Sequence, residues 1–381
     1  MPTWIRSSPM ETCLHSGQEE VWTVHDGEAK ADRSYQVSIR FGKPIDALSL
    51  KSPVLSDFKS HLLEIRASRQ KVYGSSSRIE EIKRCPICNS SALQSEFQVE
   101  VYGARYHQCS SCSHCFILNR PIEQDLEGFY STNTHFSSYY TDARVVKTRV
   151  EEVAVPKVKW VIEEFRRRYG RSPRSVLDVG AGGGHFVHAC RLHGLDARGI
   201  ELNQASREFC RENFGFELEA IDFTRACESL SAIDVVTFWA VIEHVPHPTR
   251  LLKSAYQLLS GRPTLVAAEV PRWGGFSTGI QRHFSHTVVR HLDPLVHINV
   301  FTDSSLATAF EQSGFAPVAA WYYGLDAYEL MMQVSYHVSG DGRLVTESLG
   351  RSIPKLQEPI DQGRFSDILV LAGVPKETGD S

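Results

Sequence analysis

Four cysteines stand in two C-x-x-C pairs, Cys85-Pro86-Ile87-Cys88 and Cys109-Ser110-Ser111-Cys112, with twenty residues between them. Each pair sets two sulfurs on one tight turn. Two such knuckles at this separation fit a tetrahedral four-thiolate zinc site. Four protein thiolates leave no open position for chemistry, so the zinc is structural, and a small module with little core of its own depends on the metal to fold. Cys115 opens an apolar run, Cys115-Phe116-Ile117-Leu118, and reads as core. His107 and His114 are the nearby residues that could replace a thiolate. The chain has nine cysteines, an odd number, and metal binding in a reducing compartment accounts for them better than a disulfide framework.

A second stretch, Val176-Leu177-Asp178-Val179-Gly180-Ala181-Gly182-Gly183-Gly184-His185-Phe186, passes from an apolar run through an acid to glycines that open a helical pattern. That is a strand, a tight turn and a helix start. Glycines let the backbone approach a ligand where a Cβ would block it. The dinucleotide fingerprint would put its third glycine at His185, and what stands instead is D-x-G-x-G-x-G from Asp178 to Gly184. About twenty residues on, Glu201 ends a second strand, where a carboxylate can accept both hydroxyls of a ribose. Asp222-Phe223 ends a third. The fourth runs into Phe238-Trp239-Ala240-Val241-Ile242-Glu243-His244-Val245-Pro246-His247-Pro248.

Together these segments resemble the S-adenosylmethionine-dependent methyltransferases with the Rossmann-like fold, whose fourth strand leads into L-E-H-V-x-x-P. The resemblance implies a cofactor site made of Asp178, Gly180, Gly182, Gly184, Glu201, Leu202, Asp222, Phe223 and Trp239. In it, Asp222 would accept from the adenine amine and Phe223 would cover the ring. The alternative for Asp222 is a helix or turn cap. With its cysteine module the chain is similar to methyltransferases of sugar and natural-product pathways. His297-Ile298-Asn299-Val300-Phe301-Thr302-Asp303-Ser304-Ser305-Leu306 resembles their H-x-x-x-F-[ST]-x-x-S-L segment, which makes His297 the candidate base and His244 a second catalytic candidate. In the sugar C-methyltransferases of that group a glutamate precedes the histidine. Here Val296 does, and the family's nearby tyrosine is absent at Pro294 and Leu295, which counts against C-methylation. A structural histidine capping the Ser304 helix is the alternative for His297. Glu243-His244 matches part of the E-x-x-E-H of quinone-pathway O-methyltransferases, but the first glutamate is Ala240, so no catalytic metal is expected.

The elements that must position these residues alternate strand and helix from Ser175 onward. Strands are expected at Ser175–Val179, Ala197–Glu201, Glu217–Ile221, Asp234–Phe238, Thr264–Val270, Pro317–Tyr322 and Asp367–Leu371. The fold class is therefore α/β, a Rossmann-like, mostly parallel seven-stranded sheet with helices on both faces. A small zinc-knuckle module and an N-terminal extension precede it. The expected divisions are 1–82, an extension of unknown role; 83–120, the zinc module; 121–174, a linker and helical cap; and 175–376, the S-adenosylmethionine-binding domain. Ala143 to Tyr169 carries a helical stripe with a kink or break expected at Pro156. Phe129, Tyr130, Phe136, Tyr139 and Tyr140 either line an acceptor pocket or pack beneath that helix. Residues 273–296 read as a lid over the acceptor or as a surface loop.

Net charge is −4, and no Lys/Arg cluster surrounds the knuckles, which argues against nucleic acid as a partner. The N-terminus has no apolar signal region and no run is long enough to span a membrane, so a cytoplasmic protein is expected. The leading reading is a methyltransferase acting on a small-molecule acceptor, a sugar, nucleotide-sugar or secondary metabolite, at a hydroxyl or carbon. The alternatives are an RNA-base methyltransferase whose zinc module grips nucleic acid, and a non-catalytic partner-binding protein. Acceptor identity and oligomeric state stay open.

Overall fold

In the computed structural model the residues described are 3–7, 17–25, 32–55, 58–74, 78–132, 141–227, 230, 232–287 and 290–376. Phe136, Tyr139 and Tyr140 lie outside them. Fifteen strands are present among the described residues: β1 (Thr3–Ser7), β2 (Gln18–His25), β3 (Arg33–Phe41), β4 (Ile79–Glu81), β5 (Ser95–Val101), β6 (Ala104–Cys109), β7 (Cys115–Ile117), β8 (Asn119–Pro121), β9 (Ser175–Val179), β10 (Asp196–Ile200), β11 (Val235–Trp239), β12 (Leu265–Pro271), β13 (Asn299–Val300), β14 (Phe315–Tyr323) and β15 (Ile368–Pro375).

Nine of these make the main sheet, in the order β1-β2-β3-β14-β15-β12-β11-β9-β10. From β10 to β14 this is a doubly wound α/β sheet in which β9, β10, β11 and β12 are parallel and β15 is antiparallel to both neighbours. The strands at its centre are apolar on both faces because helices cover both. Successive residues serve opposite cores: Leu177, Phe238 and Leu371 pack on one side, and Val176, Val235 and Val370 on the other with Trp160 and Phe165. Two differences from the expected seven strands stand out. The strand expected at Glu217–Ile221 is reduced to one bridge between Glu219 and Ile200, because Asp222 turns the chain at once into the short helix Phe223–Ala226. The N-terminal extension, in contrast, joins the sheet. β3 runs parallel to β14 from Ser38↔Ala319 to Phe41↔Tyr322, with β2 and β1 outside it.

The region of the two cysteine knuckles has its own four-stranded sheet, β13-β7-β6-β5. The hairpin expected around Phe97–Tyr106 is present, turning at Tyr102 and Gly103, both of positive φ. Its fourth strand, β13, comes from far downstream and directly follows His297 and Ile298. At Pro156 the expected break takes a specific form. Residues Arg149–Ala154 form a π-helical turn and the regular helix Val155–Tyr169 begins there, with Pro156 in its first turn. Proline has no N–H to give, so it suits a helix start. The segment 273–296, read as a lid or a surface loop, is not an exposed loop: it holds the helix Phe276–His283, with Ser277, Thr278, Gln281, His291 and Leu292 buried.

Candidate functional site

The glycine turn sits at the carboxyl end of β9, where ligands of such sheets bind. Gly180 has φ +75°, and a Cβ there would come within 2.6 Å of the Val241 side chain. Gly184 has φ +79°, and its Cβ would lie 2.4 Å from Cys210 Sγ. Both positions thus demand glycine for conformation and for space. Glu201 faces this turn. Its Oε2 accepts from the Gly182 amide at 2.7 Å and its Oε1 from the Asn203 amide at 2.7 Å, so the carboxylate is fixed between turn and strand end. Burial nevertheless pushes its pKa upward. Trp239, at the end of β11, is buried against Phe186, and its Nε1 has no hydrogen-bond partner among the described residues.

Other residues of the expected cofactor set stand differently. Asp178 is buried beneath the turn, accepts from Thr237 Oγ1 at 2.7 Å, and is pushed up to about 7 by burial; it ties β9 to β11. Asp222 caps the helix Phe223–Ala226, accepting from the Thr224 amide at 2.9 Å. Phe223 is buried against Phe238 in the core, while Leu202 is 56 % exposed at the outer lip. The turn, Glu201 and Trp239 thus converge, and Asp178 and Phe223 support them from below.

Past β11 the structure brings together residues remote in sequence. His244 Nδ1 donates to the Val296 carbonyl, so Nδ1 carries the proton, and Nε2 lies 3.7 Å from Glu243 Oε1. The His244 ring stacks on His297 at 5.2 Å, and His297 stacks on His291 at 5.7 Å. Burial lowers His244 to about 4 and holds His297 well below the usual histidine value, with His244 adding to the second shift. His297 is therefore neutral, and its Nδ1 has no hydrogen-bond partner among the described residues. Where the resemblance expects a glutamate, Val296 offers its backbone carbonyl to His244 and to Tyr130, whose hydroxyl donates at 2.7 Å. Donor atoms of Glu243, His244 and His297 all lie within 4.8 Å of one another, a nitrogen and oxygen set of the kind that divalent cations accept. His283 and His286 stay apart from this stack, and His286 contacts Tyr102.

Sequence reasoning missed the wall beyond Trp239. Lys157 Nζ lies 2.7 Å from Glu269 Oε2 and 4.6 Å from the centre of the Trp239 ring. The Tyr323 hydroxyl also donates to Glu269. Burial works against the Glu269 carboxylate, but Lys157 and Lys43 outweigh it and hold its pKa below the usual value. Glu269 lies near the carboxyl end of β12, as Glu201 follows that of β10, and that was the available signal; Lys157 and Tyr323 gave none.

In the cysteine module Cys85 and Cys112 have their sulfurs 3.6 Å apart, as do Cys88 and Cys109. Thiolates about 2.3 Å from a tetrahedral zinc would stand about 3.8 Å from each other, so the four sulfurs fit that ion. Cys115 is fully buried in a different cluster. His107 bonds Ser95, and His114 bonds Asn299 at 3.0 Å and Ser305 at 3.4 Å; neither joins the sulfurs. Through His114, β7 and the Tyr106 hydroxyl, which donates to the His297 carbonyl at 3.0 Å, the module grips the segment that carries His297.

Residues 157–320 match the family model described as a methyltransferase domain. The chain is 31% identical over 109 residues to a ubiquinone biosynthesis O-methyltransferase of Pseudomonas savastanoi pv. phaseolicola, a match that covers 27% of this chain and 45% of the relative. It is 29% identical over 116 residues to the corresponding Pseudomonas putida F1 protein, covering 29% and 48%. The chain thus spans about half the length of the curated relatives it matches. Among solved structures, a SAM-dependent methyltransferase from Archaeoglobus fulgidus is 20% identical, with 61% of this chain and 99% of that chain covered at a TM-score of 0.39. No helix among the described residues is long and apolar enough to cross a membrane.

Proposed function

We propose that this chain, which carries a methyltransferase domain over residues 157–320, is an S-adenosylmethionine-dependent methyltransferase acting on a hydroxyl of a small-molecule acceptor. The observation that carries the reading is Glu201 held against the Gly182 amide at the carboxyl edge of the sheet. There the glycine turn admits a ligand closely and a carboxylate stands ready for ribose hydroxyls. Gly180, Gly182, Gly184, Glu201 and Leu202 would hold the cofactor, with Trp239 closing one side. The name of the Pseudomonas relatives favours oxygen as the acceptor atom. The zinc held by Cys85, Cys88, Cys109 and Cys112 is structural.

S-adenosylmethionine supplies an electrophilic methyl group on a sulfonium, and displacement there is in line, so alignment does much of the catalytic work. His297 would act as the base. Its neutral imidazole would take the hydroxyl proton at Nδ1 while the acceptor oxygen bonded to the methyl carbon and the carbon–sulfur bond broke, leaving S-adenosylhomocysteine and a protonated imidazole. His244, fixed by the Val296 carbonyl, holds the His297 ring by stacking. Trp239, Lys157 and Glu269 keep water from the reacting atoms. Calorimetric titration with S-adenosylmethionine and S-adenosylhomocysteine, with NADH as control, tests the reading. Binding that is lost in Glu201→Ala and Gly182→Val supports it. A folded, zinc-loaded protein that binds neither compound would sink it and favour a partner-binding role.

A further inference from the structure

His297 stands at the end of a tight turn, Asp293-Pro294-Leu295-Val296-His297, that belongs to no helix or strand. The Asp293 carbonyl accepts from the amides of Val296 at 3.0 Å and His297 at 2.8 Å, and its carboxylate accepts from the Leu295 amide at 3.2 Å. The next four carbonyls are all taken by tyrosine hydroxyls. Tyr73 donates to Pro294 at 3.0 Å, Tyr130 to Leu295 at 3.0 Å and to Val296 at 2.7 Å, and Tyr106 to His297 at 3.0 Å. Side chains from far upstream therefore satisfy a backbone that no ladder serves. The Val296 carbonyl holds His244, and the His297 ring stacks on that histidine. Where this turn sits, both rings sit.

The turn is held in its turn from the N-terminal extension. The helix Phe58–Tyr73 carries Arg69 and Tyr73, and of its sixteen residues only Phe58 and Arg69 are buried. Arg69 Nε lies 2.9 Å from Asp293 Oδ1, and its Nη2 lies 2.8 Å from Oδ2. Such a charge-assisted fork fixes direction as well as distance, and a lysine cannot reproduce it. Ile65 and Tyr73 of the same helix pack against the cluster that contains Leu292 and Ile298, one on each side of the turn. Asp293 Oδ1 thus serves two masters, the Leu295 amide within the turn and Arg69 in the extension. Without its arginine the buried carboxylate would be stranded. It would take up a proton or draw the turn toward water, and either change moves the backbone that carries His297.

We propose that Arg69 is a positioning residue for the base, and that the N-terminal extension serves the catalytic site through it. The Arg69–Asp293 pair sets the place of the turn, and the turn sets the His297 ring and the carbonyl that orients His244. This rests on the methyltransferase reading above, in which His297 is the base. Glu201 is held by the amides of Gly182 and Asn203, so the cofactor side keeps its geometry when the fork is lost.

The test uses the full-length, zinc-loaded protein with isotope-labelled histidine and glycine, followed by NMR at neutral pH with and without S-adenosylhomocysteine. Signals of the two rings are assigned from His244→Gln and His297→Gln. In Arg69→Met the His244 Nδ1 proton exchanges with solvent at least tenfold faster than in wild type, and the His297 ring protons lose the shift that stacking gives them. The Gly182 amide, bonded to Glu201, keeps its protection within threefold, and so does S-adenosylhomocysteine affinity. Arg69→Lys, which keeps the charge and loses the fork, moves the ring signals in the same direction to a lesser degree. If Arg69→Met does not fold, Arg69→Lys is read by the direction of its ring signals and the same two controls. A folded variant whose ring signals match wild type overturns the inference. Loss of Gly182 protection or of S-adenosylhomocysteine affinity beyond threefold also overturns it, because the pair would then support the whole fold. Failure of S-adenosylhomocysteine to bind wild type overturns the methyltransferase reading instead, and the ring signals of the unliganded protein still test the pair.

Discussion

The glycine turn, Glu201 and Asn203 lie within one βαβ unit, and the two amides that hold the Glu201 carboxylate come from that unit; the bond from Asn203 Nδ2 to the Tyr130 carbonyl reaches outside it. The wall around Glu269 draws instead on Lys43, Lys157 and Tyr323, and the histidine stack on residues 244, 291 and 297. One region is local, with its geometry set by backbone and glycine; the other is assembled from distant segments, with its geometry set by packing and by the cysteine module. The local region can hold its ligand while the assembled one is disturbed, and that asymmetry separates their experiments.

The largest expected effect is on the assembled region alone. Replacing Cys88 and Cys109 together with serine, or stripping zinc with a chelator, should release β7 and β13 and with them His297. Misplacement of an aligned group by about 1 Å can cost 10²-fold, and loss of the whole support should lower turnover at least a thousandfold. S-adenosylhomocysteine affinity, measured on the same samples, should stay within threefold. Equal loss of both would show that the two regions fold as one unit. Lys157→Met comes next. It strands the buried Glu269 carboxylate, and breaking such a pair costs about 3–5 kcal/mol, read as a fall in denaturant midpoint. Glu269→Gln beside it should be milder, since it removes the charge that needs the lysine.

His297→Gln should lower kcat about a hundredfold and leave cofactor affinity unchanged. Because burial holds its pKa down, the base is neutral through the physiological range. Wild-type rate should fall only at pH values below the ordinary histidine value near 6.5, and the variant should lose that acid limb. On the local side, Glu201→Ala removes a charged acceptor that contributes about 1.5–3 kcal/mol, so S-adenosylhomocysteine affinity should drop about tenfold to a hundredfold, with kcat at saturation little changed.

The smallest effect is on stability. Asp178 is raised by burial to about 7, so between about pH 4 and that value the folded chain keeps a proton that the unfolded chain has released. Stability falls as pH rises across this window. Asp178→Asn keeps an oxygen for Thr237 and removes the titration, so its melting temperature should depend less on pH from 5 to 8, by about a few degrees.

The legibility of each part follows the same division. Strands β9, β11 and β12 were readable because burial on both faces gives continuous apolar runs, and the glycine turn because positive φ and close approach allow few other residues. The knuckles were readable because a thiolate site needs two sulfurs per turn. Three things were not. The strand expected at Glu217–Ile221 lost to the cap made by Asp222. The segment 273–296, read as a lid or a surface loop, gave no sign of its packing: its polar residues, Ser277 and Gln281 among them, are buried with partners from Asp326, Asp367 and His291. The extension carries an alternating run at Tyr35–Phe41, which marks a strand but not which edge it joins.

Sequence alone determined the α/β class, the glycine turn with Glu201 at its side and the four-sulfur cluster, since each rests on steric or coordination rules satisfied within a short stretch. Tertiary structure decided that β3 sits beside β14, that β13 completes the module's sheet, that His244, His291 and His297 stack, and that Lys43 reaches Tyr323. Those arrangements depend on which surfaces meet, and a side chain's spacing along the chain carries no record of a neighbour two hundred residues away.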